Sequence, residues 1–235
     1  MGVSGVAAGK QHKSNSAKSS SVMPDRYHHG DLPQTLMDLA VQHIQAHGTE
    51  KLSLRALARS AGVSPTAPYK HFPSKQCLLA ALATQGFADL AGLTHQAIVQ
   101  TPDLDDRVIA MGLTYIRFAQ DNPTAYHLMF GSVLGDFSAY QMLHTAAVGA
   151  YDEVKQVLAE VAQRNGCSEV DLEQFAGAVW ALVHGIASLT IDPISIGDDD
   201  ASPMRSIAAL KADSEAALRL LLDPVLQQYQ AVSVS

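Results

Sequence analysis

Residues 52–75 constrain the fold of this chain more than any other stretch of its sequence. Their first part carries one narrow apolar stripe at the spacing of a short α-helix, with Ser53 as a candidate N-cap. Gly62 stands where a helix end requires a residue that tolerates positive φ. A Ser-Pro pair then predicts a second helix over residues 64–71, which ends there because Pro73 cannot donate a helical hydrogen bond. Two short helices joined by a tight turn are therefore expected.

Two helices joined by a glycine-containing turn form a helix-turn-helix, in which the second helix enters the major groove of DNA. Small and hydroxyl-bearing residues at the start of that helix suit contacts with bases, whereas basic and polar residues around it suit backbone phosphates. The residues predicted to face bases are Pro65, Thr66 and Ala67. The residues predicted to bind phosphates are Ser53, Arg55, Ser64, Tyr69, Lys70, His71 and Lys75. A helical hairpin that only packs remains the alternative for this spacing.

The charge distribution favours a nucleic-acid partner although the net charge of the chain is −7. Residues 1–75 contain nine Lys and Arg against four Asp and Glu, so residues 76–235 carry a net charge of −12. A basic N-terminal region can neutralise phosphates while an acidic remainder stays soluble. A charge asymmetry that serves no partner is the alternative.

Length and composition indicate a soluble, globular, all-α protein. The chain has 235 residues, of which 47% are apolar, and alternating strand-like runs are scarce. Cys77 and Cys167 lie in no metal-like spacing, so no metal site, cofactor or disulfide framework is predicted and a reduced, cytoplasmic location is expected. The longest largely apolar stretch, residues 175–189, falls short of the about 20 residues that a membrane helix needs, so no membrane partner is expected.

Four motifs within residues 27–90 carry a family resemblance: YHHGDL from residue 27, LSLR from 52, AGVS from 61 and APYKHF from 67. They resemble the N-terminal domain of TetR/AcrR-type transcriptional regulators. The tyrosine and phenylalanine of the last motif, with the lysine shortly after them, are the most diagnostic part. The resemblance implies a DNA contact just before the first helix, for which Arg26 is the candidate. Many members carry leucine where Pro68 stands, and this departure affects the path and pitch of the second helix.

A further motif, VWALVHG at residues 179–185, resembles the Trp-His-Gly element of one C-terminal subclass of that family. The family resemblance implies a homodimer, an inverted-repeat operator of double-stranded DNA and a small-molecule effector. Composition and resemblance together divide the chain into three parts. These are a disordered basic tail over residues 1–26, a helix-turn-helix DNA-binding domain over residues 27–75 and a helical effector-binding and dimerisation domain over residues 76–235.

Hydrophobic periodicity predicts a helix over residues 32–47, which completes a three-helix DNA-binding domain. The helices predicted for the larger bundle that follows are 75–101, with Ser74 as its cap, 103–120, 125–130, 139–165, 170–191 and 203–229. Methionine and aromatic residues on the body helices indicate an interior, and a small-molecule cavity or an ordinary core would use the same side chains. The candidate cavity residues are Met111, Tyr115, Phe118, Met129, Phe130, Met142, Tyr151, Trp180 and His184.

The last two predicted helices carry apolar residues at the alternating spacings of three and four that are typical of packed helix seams. The candidate dimer-interface residues are Phe175, Val179, Leu182, Ile186, Leu189, Leu210, Ala217 and Leu221. Beside the first seam runs a stripe of small residues, Gly177, Ala181, Gly185 and Ser188. Packing within one chain is the alternative use of either seam.

The sequence contains no phosphate-cradling glycine loop, no His-Glu-x-x-His and no Gly-x-Ser-x-Gly, so no catalytic residue is assigned and no enzyme is predicted. The chain is predicted to be a sequence-specific DNA-binding transcriptional regulator, a repressor that a small-molecule effector releases from its operator. Two alternatives remain open. One is a helical ligand-binding or enzymatic domain whose basic head binds an acidic protein, and the other is a nonspecific architectural DNA binder.

Overall fold

The computed structural model describes residues 31–164, 166, 169–192 and 202–231. The predicted tail, Arg26 and Cys167 lie outside the described residues. The described part is helical throughout, and it contains α1 (Leu32–His47), α2 (Leu54–Ser60), α3 (Lys75–Gln100), α4 (Leu104–Asp121), α5 (Pro123–Phe130), α6 (Gln141–Arg164), α7 (Glu169–Ile191), α8 (Ser202–Ala212) and α9 (Ser214–Ala231). Two short 3-10 helices lie at Ala67–Lys70 and Phe137–Ala139.

The helix starts follow from side-chain caps that the sequence predicts. The Ser53 hydroxyl accepts a hydrogen bond from the backbone N–H of Ala56 at 3.3 Å, and α2 begins at the next residue. The Ser74 hydroxyl accepts one from the N–H of Cys77 at 3.1 Å at the start of α3. Both caps are confirmed. They fix where the helix-turn-helix begins and where the long helix leaves it.

The second helix of the helix-turn-helix is shorter than predicted. Instead of a helix over residues 64–71, the structure has the 3-10 helix Ala67–Lys70, which is called the recognition segment below. An α-helix starting at residue 64 needs the N–H of residue 68 to bond to the carbonyl of Ser64, and Pro68 has no N–H. The bond to the Ser64 carbonyl comes instead from the N–H of Ala67 at 3.0 Å, in the tighter 3-10 pattern.

The last predicted helix, residues 203–229, is two helices in the structure. Asp213 separates α8 from α9. Its carboxylate accepts a hydrogen bond from the N–H of Ala216 at 2.9 Å, which makes it the cap of α9. Apolar periodicity continues across this break, and for that reason it did not reveal the break.

Two clusters of buried apolar side chains hold the bundle together. The first contains residues of α1, α2, α3 and α5, and it runs from Leu57 beside the recognition segment to Leu143 at the start of α6. The second is built mainly from α4, α6, α7 and α9, with Tyr126 from α5, and Ile116, Leu158 and Leu218 are among its most buried members. The helix-turn-helix therefore shares a core with the body through α3. The proposed boundary between residues 75 and 76 stays a prediction.

Within the described ranges of the chain, two helices are long and apolar enough to cross a membrane by length and composition alone, namely α3 and residues 172–191 of α7. The expectation that no stretch reaches this length was wrong. Half of the most apolar window of α3 and a third of that of α7 are buried inside the bundle. Apolar residues of both helices thus pack in the two core clusters.

Candidate nucleic-acid interface and body cavity

The helix-turn-helix presents a concentrated positive charge. Residues 51–75 contain five Lys and Arg and no Asp or Glu. Arg55 on α2 and Lys70 on the recognition segment are both exposed, and neither forms a salt bridge with another described residue. Exposed cations of this kind on a small helical head produce the local positive potential that binds phosphate.

The predicted DNA contacts take up different positions on this head. The exposed ones are Ser53, Arg55, Ser64, Pro65, Thr66, Tyr69, Lys70 and His71. Ala67 and Lys75 are half-buried, and the Lys75 ammonium donates a hydrogen bond to the backbone carbonyl of Glu50 at 3.1 Å. The hydroxyls of Ser64 and Thr66 lie 3.2 Å apart, so each can orient the other at the start of the recognition segment. Arg26 lies outside the described residues.

A cavity of about 460 Å³, called the body cavity below, lies among α3, α4, α5, α6 and α7. It is lined by residues of both core clusters, so it occupies the space where the two clusters meet. Six of the nine candidate cavity residues line it: Met111, Tyr115, Met129, Phe130, Tyr151 and Trp180. Its size falls within the usual range of small-molecule sites.

Three candidate cavity residues lie elsewhere. Phe118 is buried in the first core cluster on the far side of α4. Met142 was placed in the interior by its periodicity, and this was wrong: its side chain is 77% exposed, near the first turn of α6. His184 lies behind the cavity wall, where its ring touches Tyr115.

His184 is part of a hydrogen-bond network behind that wall. Its Nδ1 lies 2.9 Å from the hydroxyl of Tyr115 and 2.9 Å from that of Tyr126. The Tyr126 hydroxyl also lies 3.1 Å from that of Ser188. Burial raises the pKa of both tyrosines and lowers the pKa of His184. All three groups are therefore neutral near pH 7, and Nδ1 can accept a hydrogen bond from one of the two phenols at a time.

The sequence reasoning missed several cavity residues, most notably Phe87, Leu90 and Thr94 of α3. Their periodicity fits a core helix, and α3 is one. A helix that packs on two sides leaves no sequence signal for the part of its face that borders an empty space. Tyr126 was also missed, because its partners come from a helix more than fifty residues away in sequence.

The predicted dimer seams are largely used within the chain. Val179 and Ile186 are only 7% and 5% exposed, because both pack into the second core cluster. Their assignment to a dimer interface is corrected accordingly. Phe175, Leu182, Leu210 and Ala217 are half-buried, whereas Leu189 and Leu221 remain exposed.

The exposed face of α7 is instead the one that carries the small residues. Gly177 and Ala181 are exposed, Gly185 and Ser188 are half-buried, and Trp180 lies beside them with 47% of its surface exposed. On α9, the face turned away from the core bears Leu220 and Leu221, which are 75% and 51% exposed. Apolar surface of this kind is typical of a protein contact.

Comparison with known proteins gives two family matches that follow each other along the chain. The family described as "Bacterial regulatory proteins, tetR family" matches residues 36–82. The family described as "Tetracyclin repressor-like, C-terminal domain" matches residues 108–213. The chain belongs to the TetR family. The subclass suggested by the Trp-His-Gly motif stays a prediction.

Individual relatives agree with this assignment. "HTH-type transcriptional regulator Rv1816" from Mycobacterium tuberculosis is 31% identical over 106 residues, which is 44% of this chain and 45% of that relative. The alignment thus spans less than half the length of the relative. A protein of unknown function from Rhodococcus sp. RHA1 has a similar structure, with a TM-score of 0.64 and 30% identity over 81% of this chain and 97% of that one. The TetR family regulator PfmR from Thermus thermophilus shares the fold, with a TM-score of 0.56 and 18% identity over 78% of this chain and 97% of PfmR.

The two TetR family matches leave a gap over residues 83–107. This gap contains Phe87, Leu90 and Thr94, the α3 residues that line the body cavity. The helix-turn-helix thus lies within a family match, whereas the cavity wall contributed by α3 lies between the two matches.

Proposed function

We propose that this protein is a sequence-specific DNA-binding transcriptional regulator, a repressor that binds an inverted-repeat operator as a homodimer. The observation that carries the proposal is the head itself: residues 51–75 have five basic side chains and no acidic one, on a helix-turn-helix of the TetR family. Thr66 and its neighbours Pro65 and Ala67 read base edges. Arg55, Tyr69, Lys70 and Lys75 bind phosphates on either side of the groove.

A dimer follows from the geometry of such an operator. Two recognition segments must lie about 34 Å apart to enter successive major grooves on one side of the duplex. The exposed small residues of α7 and the exposed leucines of α9 supply apolar surface for a second copy. The acidic body, with its net charge of −12 over residues 76–235, is repelled by the DNA and leaves only the heads in contact.

Release by a small molecule follows from the path of α3. The helix begins beside the recognition segment at Lys75, and its residues Phe87, Leu90 and Thr94 line the body cavity. A ligand that fits the cavity in only one position of α3 stabilises that position. If this position sets the two heads at a spacing other than the groove repeat, the ligand lowers operator affinity.

The proposal assigns no catalytic role to the chain, since a regulator of this kind acts by binding. It also assigns no cofactor. The site of action is the cytoplasm, where the operator DNA of a bacterial regulator lies, and the partners are duplex DNA, a second copy of the chain and the effector. No membrane is involved.

Selection of bound duplexes from a random pool, followed by sedimentation of the complex, tests the proposal. An enriched inverted repeat bound by two copies is the expected result. Enrichment of no sequence, with steep salt dependence, identifies a nonspecific architectural binder instead. No binding to any duplex contradicts the proposal and favours an acidic protein as the partner of the basic head.

The same selection with Thr66→Ala tests the assigned base reader. Loss of a base contact relaxes the preference at one position of each half-site, by about 1 kcal/mol or more of discrimination. Loss of affinity by the same factor on every sequence would show that Thr66 contacts the phosphate backbone only.

A further inference from the structure

The wall of the body cavity carries no charge. Among the described residues that line it there is no Asp, Glu, Lys, Arg or His. The wall is composed of aliphatic, methionine and aromatic side chains, with hydroxyls from Thr94, Tyr115 and Tyr151 as its main polar groups. Because an ion inside such a wall loses its water and gains no opposite charge, the cavity disfavours any ionised ligand.

Thr94 is the polar group most clearly directed at a ligand. Its side chain is only 4% exposed, it lines the cavity, and its hydroxyl makes no hydrogen bond with any described residue. Other threonines of the bundle, such as Thr84 on the same helix, donate to the carbonyl one turn before them. Because Thr94 lines the cavity, a ligand oxygen placed beside its hydroxyl can hydrogen-bond to it.

The hydroxyl of Tyr115 is already engaged, since it lies 2.9 Å from Nδ1 of His184. Its ring contributes to an aromatic part of the wall, in which Phe87 contacts Phe130 at a ring-centroid distance of 5.4 Å and Phe137 at 6.3 Å. Elsewhere the wall is aliphatic, with Val154 and Leu158 from α6. The wall therefore favours an apolar body with one oxygen placed at Thr94.

From these contacts we infer that the body cavity binds an uncharged, largely apolar molecule that carries a hydroxyl, carbonyl or ether oxygen, which hydrogen-bonds to Thr94. At ~30 Å³ for each water-sized group, the volume of about 460 Å³ holds about 15 such groups. Medium-chain alcohols, ketones and small neutral aromatic compounds belong to this class. The inference identifies the ligand class of the cavity in the proposed function, and it rests on that proposal only for the ligand's effect on DNA.

Trp180 allows a direct test in the full-length protein. It is the single tryptophan of the chain and it lines the cavity, so its fluorescence reports occupancy. The probes are 1-decanol, decanoate and decylammonium at about pH 7.5, which share one chain length and differ in charge. We expect 1-decanol to shift the Trp180 emission in a saturable manner, and both ions to bind at least about tenfold more weakly. Ions that bind as tightly as the alcohol, or an alcohol that does not bind, would overturn the inference.

Matched variants locate the bound alcohol. Thr94→Val keeps the shape of the side chain and removes the hydroxyl, so the affinity for 1-decanol should fall by about three- to tenfold. Thr84→Val removes a hydroxyl from the same helix outside the cavity and should leave the affinity unchanged. Ala150→Phe fills the cavity and should abolish binding, whereas Val148→Phe adds a ring on the exposed side of α6 and should not. Equal effects within either pair would overturn the assignment.

Operator binding is measured on the same samples without any probe. Binding of 1-decanol by a protein that binds no operator would refute the proposed function and leave the ligand class intact. Operator binding by a protein that takes up decanoate as readily as 1-decanol would refute the ligand class and leave the proposed function intact.

Discussion

His184 illustrates how a single side chain acquires properties that its sequence position does not reveal. Its Nδ1 faces the hydroxyls of Tyr115 and Tyr126, and burial lowers its pKa below the ordinary value of 6.5. The unfolded chain therefore binds a proton at His184 at a higher pH than the folded protein does. The stability linked to this residue is present above about pH 6.5 and is lost as the pH falls below it.

The variant His184→Asn tests this dependence. Its amide oxygen can accept from the same phenols, but it does not titrate. We expect the thermal midpoint of the natural protein to fall between about pH 7.5 and pH 5 more steeply than that of the variant. His144→Asn, which removes an exposed imidazole from α6, serves as the control and should keep the natural slope. If the thermal midpoint of His184→Asn falls with pH as steeply as that of the natural protein, groups other than His184 cause the acid sensitivity.

Lys75 is a residue whose assigned partner on DNA differs from its partner in the free protein. Its ammonium is held by the carbonyl of Glu50, and it must exchange that bond for one with a phosphate. Lys75→Ala should weaken binding to every duplex and reduce the salt slope of the logarithm of affinity by about one. Lys211→Ala removes an equal charge from α8, and its slope should not change. If the salt slope is unchanged in Lys75→Ala, the lysine binds only the carbonyl of Glu50 and no phosphate.

The residue scale also shows what the sequence could establish. Ser53 and Ser74 were predicted as caps correctly, because a cap is a local interaction between neighbours in the chain. The exposure of Met142 and the free hydroxyl of Thr94 could not be predicted. Both depend on which distant helix covers a given face, and one sequence does not contain that information.

The recognition segment is the element whose form depends most directly on one residue. Pro68 prevents an α-helix from residue 64, and the backbone takes the 3-10 pattern over Ala67–Lys70. A 3-10 turn rotates successive side chains by about 120° each instead of 100°. It therefore presents Thr66 and Tyr69 in different directions from those of an α-helix.

Pro68→Leu should restore the missing N–H and allow an α-helical bond to the carbonyl of Ser64. We expect the new amide to exchange its hydrogen slowly in an NMR measurement. The inverted repeat selected by the variant should differ from the natural one at the bases next to Thr66, while the spacing of the half-sites stays the same. An identical preferred sequence together with a rapidly exchanging amide would mean that the 3-10 form has causes other than Pro68.

On α7 the apolar spacing correctly predicted a packed face, but part of that face packs within the chain and not against a second copy. The spacing of Val179, Leu182 and Ile186 predicts a packed seam, and these side chains do pack. Periodicity identifies the face that is buried, but it does not say whether the same chain or a second copy buries it. In this bundle α4 and α9 pack against the apolar seam of α7, whereas small residues beside the seam remain exposed.

At the scale of the whole molecule, α3 connects the recognition segment to the body cavity. It contributes to the core that supports the recognition segment, and it lines the body cavity. The cavity lies where the two core clusters meet, and residues of both line it. In the proposed function, a ligand of the inferred class acts on the position of α3 without touching the helix-turn-helix.

Regulation through α3 requires two heads, so the oligomeric state is the property that decides whether the molecule can work as proposed. Ala181 lies at the middle of the exposed small-residue face of α7, where a second backbone can approach closely. Ala181→Glu places a charge there that would have to be buried without a partner. We expect this variant to sediment as a monomer at concentrations where the natural protein is a dimer.

The monomer should keep its helical circular dichroism and lose most of its affinity for the inverted repeat, because one head supplies only half of the contacts. It should retain the Trp180 response to 1-decanol, since the cavity lies within one chain. Ala88→Glu makes the same substitution at an exposed position of α3 and should remain dimeric. A dimer in both variants would place the interface elsewhere, and the exposed leucines of α9, Leu220 and Leu221, would be the next surface to alter.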